Sequence, residues 1–229
     1  MMDGRGRRQA DTVEKAYLQV KEMTVRYEIR PEDRIKEAEL ADKLSISRTP
    51  LREALNRLVS EGLVRFVPNK GFICRGIDTK EVFDLYELRA AIECTAVRLG
   101  CQRASDEAID KACRVWTDYV DRDEDMDIDA LTDADESFHL EISRLSNNAE
   151  IVKSLEAINA RIRFFREIDI ENRERAGITR KEHDAIIDAL RRRDSAMVVE
   201  CVHDHVRMSA EHAIEVTKEG LARIFLGSG

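Results

Sequence analysis

The side chains best equipped for chemistry in this chain are five histidines, His139, His183, His203, His205 and His212, and the acids around them. Asp135 and His139 stand four apart, so a helix through them projects both from one face. His183 reads as opening a helix within Glu182-His183-Asp184-Ala185-Ile186-Ile187-Asp188-Ala189-Leu190, and His205 follows 22 residues later, late in the next helix. Two helices joined by a short turn can bring residues at that separation to the same level. One Asp and three His drawn from three helices toward a bundle interior make a plausible site for Zn, Ni or Mn, with positions left for water or an anion. Spacing alone favours surface or hydrogen-bonded histidines over metal ligands, and His203 and His212 stay in that class.

The same set would serve a metalloenzyme with Glu182 or Glu136 as base. No H-E-x-x-H, nucleophile elbow or phosphate-binding glycine loop accompanies it. The acidic run Asp121-Arg122-Asp123-Glu124-Asp125-Met126-Asp127 lacks the Gly and Glu positions of a calcium loop and reads as a solvated loop. The cysteines, Cys74, Cys94, Cys101, Cys113 and Cys201, are odd in number with no C-x-x-C pair, which fits a reducing cytoplasm rather than a disulfide framework. Cys94 and Cys101 read as buried small hydrophobes.

Charge divides the chain. Of 38 Lys+Arg and 46 Asp+Glu, residues 1–76 hold 16 and 12, leaving 22 and 34 for the remainder. A basic head on an acidic body suits a DNA reader joined to a domain that stays off DNA. No 18-residue apolar window predicts a membrane span, and the short basic start Met1 to Arg8 reads as a frayed tail rather than a signal.

The head predicts a helix from Val13 to Tyr27, ended by Pro31, then a short helix with Ala38, Leu40, Ala41 and Leu44 inward. Ser47 can cap a third helix that buries Leu51, Ala54, Leu55, Leu58 and Val59 and stops at Gly62. Arg48, Arg52 and Asn56 repeat at four-residue spacing opposite the leucines, where arginines can grip guanine edges or phosphates. Val64 to Val67 and Phe72 to Arg75 predict a hairpin turned by Pro68-Asn69-Lys70-Gly71. A helix-turn-helix followed by a hairpin is a winged reading head. The proline-free remainder predicts about six helices, with apolar stripes such as Val82, Leu85, Leu88, Ile92, Ala96 and Leu99.

The run Leu40-Ala41-Asp42-Lys43-Leu44-Ser45-Ile46-Ser47-Arg48-Thr49-Pro50-Leu51-Arg52-Glu53-Ala54-Leu55, with Gly62-Leu63-Val64 and Gly71-Phe72, resembles the signature of GntR-family transcription regulators. That resemblance implies DNA contacts by Arg48 and Arg52, helped by Ser47, Thr49 and the wing tip at Lys70 and Gly71. The chain departs from the family pattern at three places: Pro31-Glu32 stands for Pro-Gly, Ser45 for Gly, and Ala38 for an Arg found in many members. Asp135-Glu136-Ser137-Phe138-His139, Glu182-His183, His205 and Leu85-Tyr86-Glu87-Leu88-Arg89 resemble the subfamily whose ligand domain is the FCD domain, in its shorter, VanR-like branch. By that resemblance Asp135, His139, His183 and His205 hold a metal, Zn first. Arg89 would pair with a small carboxylate effector, an organic acid or sugar acid.

The expectation is therefore a mainly α protein. Residues 1–76 form a winged helix-turn-helix, and residues 77–229 form an all-helical antiparallel bundle that binds effector and dimerises. The protein is expected to be a cytoplasmic homodimer on a palindromic double-stranded DNA operator, to repress transcription, and to catalyse nothing. A bundle serving only as a dimerisation scaffold is the remaining alternative.

Overall fold

The structure, a computed structural model, describes residues 4–120, 127–171, 173–208 and 210–226. The acidic run read as a solvated loop lies, from Asp121 to Met126, outside them. The elements are α1 (Gly4–Val25), α2 (Glu37–Lys43), α3 (Arg48–Ser60), β1 (Val64–Val67), β2 (Gly71–Cys74), α4 (Thr79–Arg103), α5 (Asp106–Val120), α6 (Ile128–Arg144), α7 (Ala149–Glu171), α8 (Arg173–Arg191), α9 (Ser195–Val206) and α10 (Ala210–Leu226). They divide into two compact units, Met1–Ile77 with Leu221–Gly229, and Asp78–Gly220. Among the described residues no helix is long and apolar enough to cross a membrane.

In the first unit α1 lies on α3 through Ala16, Tyr17 and Val20 against a stripe of Leu51, Ala54, Leu55 and Leu58. The Tyr17 hydroxyl donates to Glu61 (2.7 Å) and Lys21 pairs with the same carboxylate (3.0 Å), tying α1 to the end of α3. Helix α1 begins at Gly4, so Gly4 to Arg8 are helical where a frayed tail was expected. Ser47 occupies the N-cap position of α3, but its hydroxyl makes no capping bond. Strands β1 and β2 pair antiparallel, Val64 opposite Cys74. The segment before α2 lies along the other edge of β2, with Ile35 N–H donating to the Phe72 carbonyl (2.8 Å) and Cys74 N–H to that of Asp33 (2.9 Å).

Two of the departures from the family pattern have a backbone explanation. Glu32 and Ser45 adopt φ of 65° and 55°, the left-handed region that glycine enters freely and L side chains enter at a cost. Glu32 recovers part of this by pairing with Arg65, whereas exposed Ser45 shows no such ion pair.

The second unit packs its helices around an apolar cluster that includes Val97, Ile109, Trp116, Phe138, Ile142, Ile186, Leu190, Val198 and Val202. Its fold is the expected helical bundle, with one helix more than the apolar stripes count. Helix α10 buries mostly small or polar residues, Ala213, Val216, Thr217 and Gly220, while Ile214, Leu221 and Phe225 are exposed. A Cβ at Gly220 would stand 3.0 Å from the Phe164 ring, so this stripe works by close approach to α7 rather than by bulk. The phase of α4 also differs from expectation. Its buried stripe is Val82, Leu85, Tyr86, Arg89, Ala90, Glu93, Ala96 and Val97, and Leu88 is 49% exposed. Two charged residues occupy that inward stripe, so apolar spacing alone selects the wrong face.

Short turns set the levels of the helices. Asp194 caps α9 by accepting from Met197 N–H (3.0 Å). Arg193 donates to the Cys101 and Ala104 carbonyls at the end of α4 (2.8 and 2.7 Å), satisfying groups a helix terminus otherwise leaves open. The turn between α8 and α9 is thereby fixed against α4.

The strain at Ser45 gives a direct expectation. Ser45→Gly should raise the stability of the protein by about 0.5–1 kcal/mol, the net of relieved left-handed strain and added unfolded-chain entropy. Urea denaturation of the two proteins measures it; an unchanged or lowered midpoint would contradict the strain argument.

Candidate metal centre and DNA-reading surface

The buried charges of the bundle converge on one place. Asp135 and His139 project from one face of α6, His183 from the middle of α8 and His205 from late α9. One potential ligand atom from each of these four lies within 4.8 Å of the others. The Nε2 atoms of His183 and His205 are 3.0 Å apart, and those of His139 and His205 3.1 Å. Asp135 Oδ1 stands 3.3 Å from His183 Nε2 and 3.7 Å from His139 Nε2. His183 lies well inside its helix rather than opening it, level with His205 across the α8–α9 turn.

The far side of each ligand residue decides what these inward atoms are. Glu93 Oε2 lies 2.5 Å from His139 Nδ1, and Glu182 Oε2 2.8 Å from His205 Nδ1. A carboxylate accepts, so both imidazoles carry their proton on Nδ1 and present a bare lone pair at Nε2. Arg166 donates to Asp135 Oδ2, leaving Oδ1 to face the histidines. His183 is held edge-on against Trp116, with ring centroids 4.2 Å apart, and its Nδ1 has no hydrogen-bond partner.

Burial keeps the rings neutral. It lowers His139 despite the opposing pull of Glu93, and lowers His183 well below the usual range, with His205 and His139 adding to it. Burial brings His205 down to about 4 against the Glu182 hydrogen bond. Burial would raise Glu93, but the Arg89 guanidinium and His139 outweigh it and hold that carboxyl well below the carboxylate range. The bare Nε2 atoms of His139 and His205, the Nε2 of His183 and a carboxylate oxygen thus converge on one point. The donor set fits a divalent cation, and the carboxylate–histidine pairing is the outer support such sites use.

Beside this cluster is a cavity of about 60 Å³ lined by Tyr86, Arg89, Arg166, Asp169, Thr179 and His212, among others. Arg89 is buried rather than a surface ion pair: its Nε donates to Glu93 Oε1 (2.6 Å) and its Nη2 has no hydrogen-bond partner. Arg166, with Glu93, is a residue that sequence reasoning missed. It is buried four residues after Ile162 on the apolar stripe of α7, and burial pulls it down to about 9. A charge on an inward stripe is the signal that would have found both.

His203 is exposed beside Asp204, and His212 Nε2 donates to Asp169 Oδ1 (2.7 Å); neither joins the four. The two acids considered as catalytic bases are engaged elsewhere, Glu182 with His205 and Glu136 with Arg163 (3.1 Å).

On the first unit, Ser47, Arg48, Thr49 and Arg52 are exposed along the first turns of α3, and Lys70 is exposed at the hairpin tip. Asn69 and Gly71 take φ of 66° and 84° to make that turn. Arg52 Nε is held 3.0 Å from Glu37 of α2. A cleft of about 620 Å³ joins Arg48, Thr49 and Arg52 to Arg34 and Lys36. Arg34 was not singled out in the sequence; it lies exposed on the segment bridged to β2.

Comparison with known proteins places both halves. Residues 12–73 match the gntR family of bacterial regulatory proteins, and residues 84–208 match the FCD domain. The chain is 40% identical over 206 residues to the Nta operon transcriptional regulator of Aminobacter aminovorans, covering 89% of this chain and 95% of that protein. It is 23% identical over 195 residues to the HTH-type transcriptional repressor RspR of Escherichia coli (strain K12), covering 83% and 84%. Its fold is similar to that of E. coli McbR/YncC, with a TM-score of 0.69 at 18% identity over 94% of this chain and 97% of that one. A two-strand wing behind α2 and α3, followed by a helical bundle with FCD-type sequence, leads to one assignment: the chain belongs to the GntR family of DNA-binding transcription regulators, with a C-terminal FCD domain, and is not an enzyme.

Proposed function

We propose that this regulator binds its operator through α3 and the wing, and that a small carboxylate bound beside a divalent metal changes that binding. The observation that carries the metal reading is the convergence of three imidazole Nε2 atoms, those of His139 and His205 bare, with Asp135 Oδ1 inside the bundle. Asp135, His139, His183 and His205 would hold the ion. Nitrogen and oxygen ligands of this kind suit Zn first, with Ni or Mn as the alternatives. The bound ion supplies positive charge and coordination positions open to an anion. Arg89 and Arg166, facing the adjacent cavity, supply the donors that would orient a carboxylate there, as in an organic acid or sugar acid.

For DNA, Arg48 and Arg52 are the main contacts in this reading, with Ser47, Thr49, Lys70 and Gly71 as neighbours and Arg34 as an addition. Operator binding by a homodimer follows from the small surface of one reading head and the symmetry of palindromic sites. The groove between α4 and α9, lined by Phe83, Ala91, Cys94 and Val199 together with Glu87, Glu200 and Arg207, is the surface that would pair with a second copy of itself. Repression is the mode carried by the name of RspR. With unpaired cysteines, the cytoplasm is the compartment proposed.

The double variant Arg48→Ala, Arg52→Ala should fold normally and lose operator binding, about 1–3 kcal/mol for each arginine that reads a base. Fluorescence anisotropy with light scattering of the complex measures this. Wild-type affinity in the variant would reject the reading surface, and one chain per operator would reject the dimer.

Elemental analysis should find metal in wild type and in His203→Ala. His183→Ala and His205→Ala should lose more than the roughly 10–100-fold in affinity that removing an outer partner costs. Equal loss in His203→Ala and His205→Ala would contradict the ligand set.

Acid should act in a defined direction. The folded pKa of each cluster histidine lies below the unfolded value near 6.5, so the unfolded chain binds more protons as pH falls. Their neutral state therefore stabilises fully above about 6.5 and is lost as pH falls through that value toward about 4, where His205 protonates. Metal release should follow the same descent. A metal-free protein equally stable at pH 7 and pH 5 would contradict it.

A further inference from the structure

We propose that Arg89 and Glu93 form a relay by which an anion in the cavity tightens the metal's hold on His139, and by which the metal in turn tightens the anion. This rests on the metal and carboxylate reading above and deepens it. Four observations meet on α4. Arg89 and Glu93 are one helical turn apart on its inward stripe, both buried. Glu93 divides its carboxylate between two partners, Oε1 accepting from Arg89 Nε at 2.6 Å and Oε2 accepting from His139 Nδ1 at 2.5 Å. His139 Nε2 faces the other ligand atoms. Arg89 Nη2, buried and without a hydrogen-bond partner, belongs to a side chain that lines the cavity. An unbroken line of hydrogen bonds therefore runs from an unsatisfied donor at the cavity to a ligand nitrogen.

The sign follows from electrostatics. Arg89 drains the negative charge of Glu93, weakening the pull of Oε2 on the His139 Nδ1 proton. An anion accepting from Arg89 Nη2 offsets that guanidinium charge. Glu93 then draws harder on Nδ1–H, and the Nε2 lone pair becomes a stronger donor. Outer carboxylates raise the basicity of ligand histidines in this way. Arg166 reinforces the coupling. It lines the same cavity and holds Asp135 Oδ2, so an anion that shares Arg166 leaves more charge on the Asp135 carboxylate. Binding free energies are reciprocal, so whatever factor the anion confers on metal binding, the metal confers on the anion. Glu93 is in this account a positioning residue. It touches neither metal nor anion and acts through His139.

The relay separates from a direct anion–metal bond, which would also give positive coupling. The probe is acetate and the metal is zinc, on the full-length chain, with zinc affinity read by competition against a colorimetric chelator. In wild type, saturating acetate should tighten zinc by about 5-fold or more. Glu93→Gln keeps the shape but removes the charge. It should weaken zinc by about 10–100-fold and cut the acetate effect to the smaller part carried through Arg166 and Asp135. Glu182→Gln removes the equivalent carboxylate from His205 and leaves Arg89 and Glu93 in place. It should weaken zinc comparably while the acetate effect persists. Should Glu93→Gln fail to fold by circular dichroism, Arg89→Lys serves: its acetate effect should fall to the same smaller part. An acetate effect of wild-type size in Glu93→Gln or in Arg89→Lys would overturn the relay.

Nitrogen-15 NMR of metal-free wild type keeps the two readings distinguishable. His139 should be protonated on Nδ1 at neutral pH, and acetate should shift that proton's resonance in wild type but not in Arg89→Lys. A His139 protonated on Nε2, or an Nδ1 proton indifferent to acetate, would overturn the relay even if zinc binds. A protein that takes up no zinc but shows the acetate-dependent shift would overturn the metal reading while leaving the hydrogen-bond relay standing.

Discussion

Three neutral imidazoles whose Nε2 atoms face one another inside an apolar bundle are the constraint on which the second unit is built. The lone pairs of His139 and His205, 3.1 Å apart, repel unless a cation lies between them, so the protein must hold the rings there by other means. It does so with the Nδ1–carboxylate bonds of His139 and His205, the aromatic walls of Trp116 and Phe138 around His183, and the Arg166 grip on Asp135. Every one of those supports comes from a different helix than the residue it orients. The buried polar chain is costly without satisfied partners, and with them it imposes one arrangement of α4, α6, α7, α8 and α9. A site of this kind places charge, hydrogen bonding and helix level under one set of contacts.

How far the sequence revealed this depended on what each signal measured. Asp135 and His139 were legible because a four-residue step fixes a helix face regardless of surroundings. His183 and His205 were legible as a pair because α8 and α9 meet at a three-residue turn capped by Asp194. Their reading as ligands came from family resemblance, not from spacing, which favoured hydrogen-bonded histidines. Glu93 and Arg166 were missed for one physical reason: apolar periodicity treats a charged residue as outward, whereas these two are paid for by partners on other helices. The same assumption misplaced Leu88 inward on α4. Helix α10 escaped because its buried face is small rather than greasy, with Ala213, Thr217 and Gly220 packing by close approach.

In the head, the pattern of leucines and the Gly62 and Gly71 turns carried the fold almost unaided. The backbone cost at Glu32 and Ser45 was not legible, since a left-handed φ shows in a sequence mainly where glycine advertises it. The acidic body and basic head then have separate physical tasks. Exposed guanidinium groups on α3 meet solvent on the proposed reading surface, while Arg89 and Arg166 of the body are buried and turned to carboxylates. Arginine thus does two different jobs in one chain, set by burial and by the partner within reach.

The central claim is that the converging lone pairs are ligands. X-ray absorption spectroscopy of the zinc-loaded, full-length protein tests it most directly. The account predicts a first shell of three imidazole nitrogens at about 2.0–2.1 Å with oxygen completing the set, and no sulfur. A sulfur shell near 2.3 Å, or a spectrum with no imidazole scattering, would place the metal elsewhere and contradict the account.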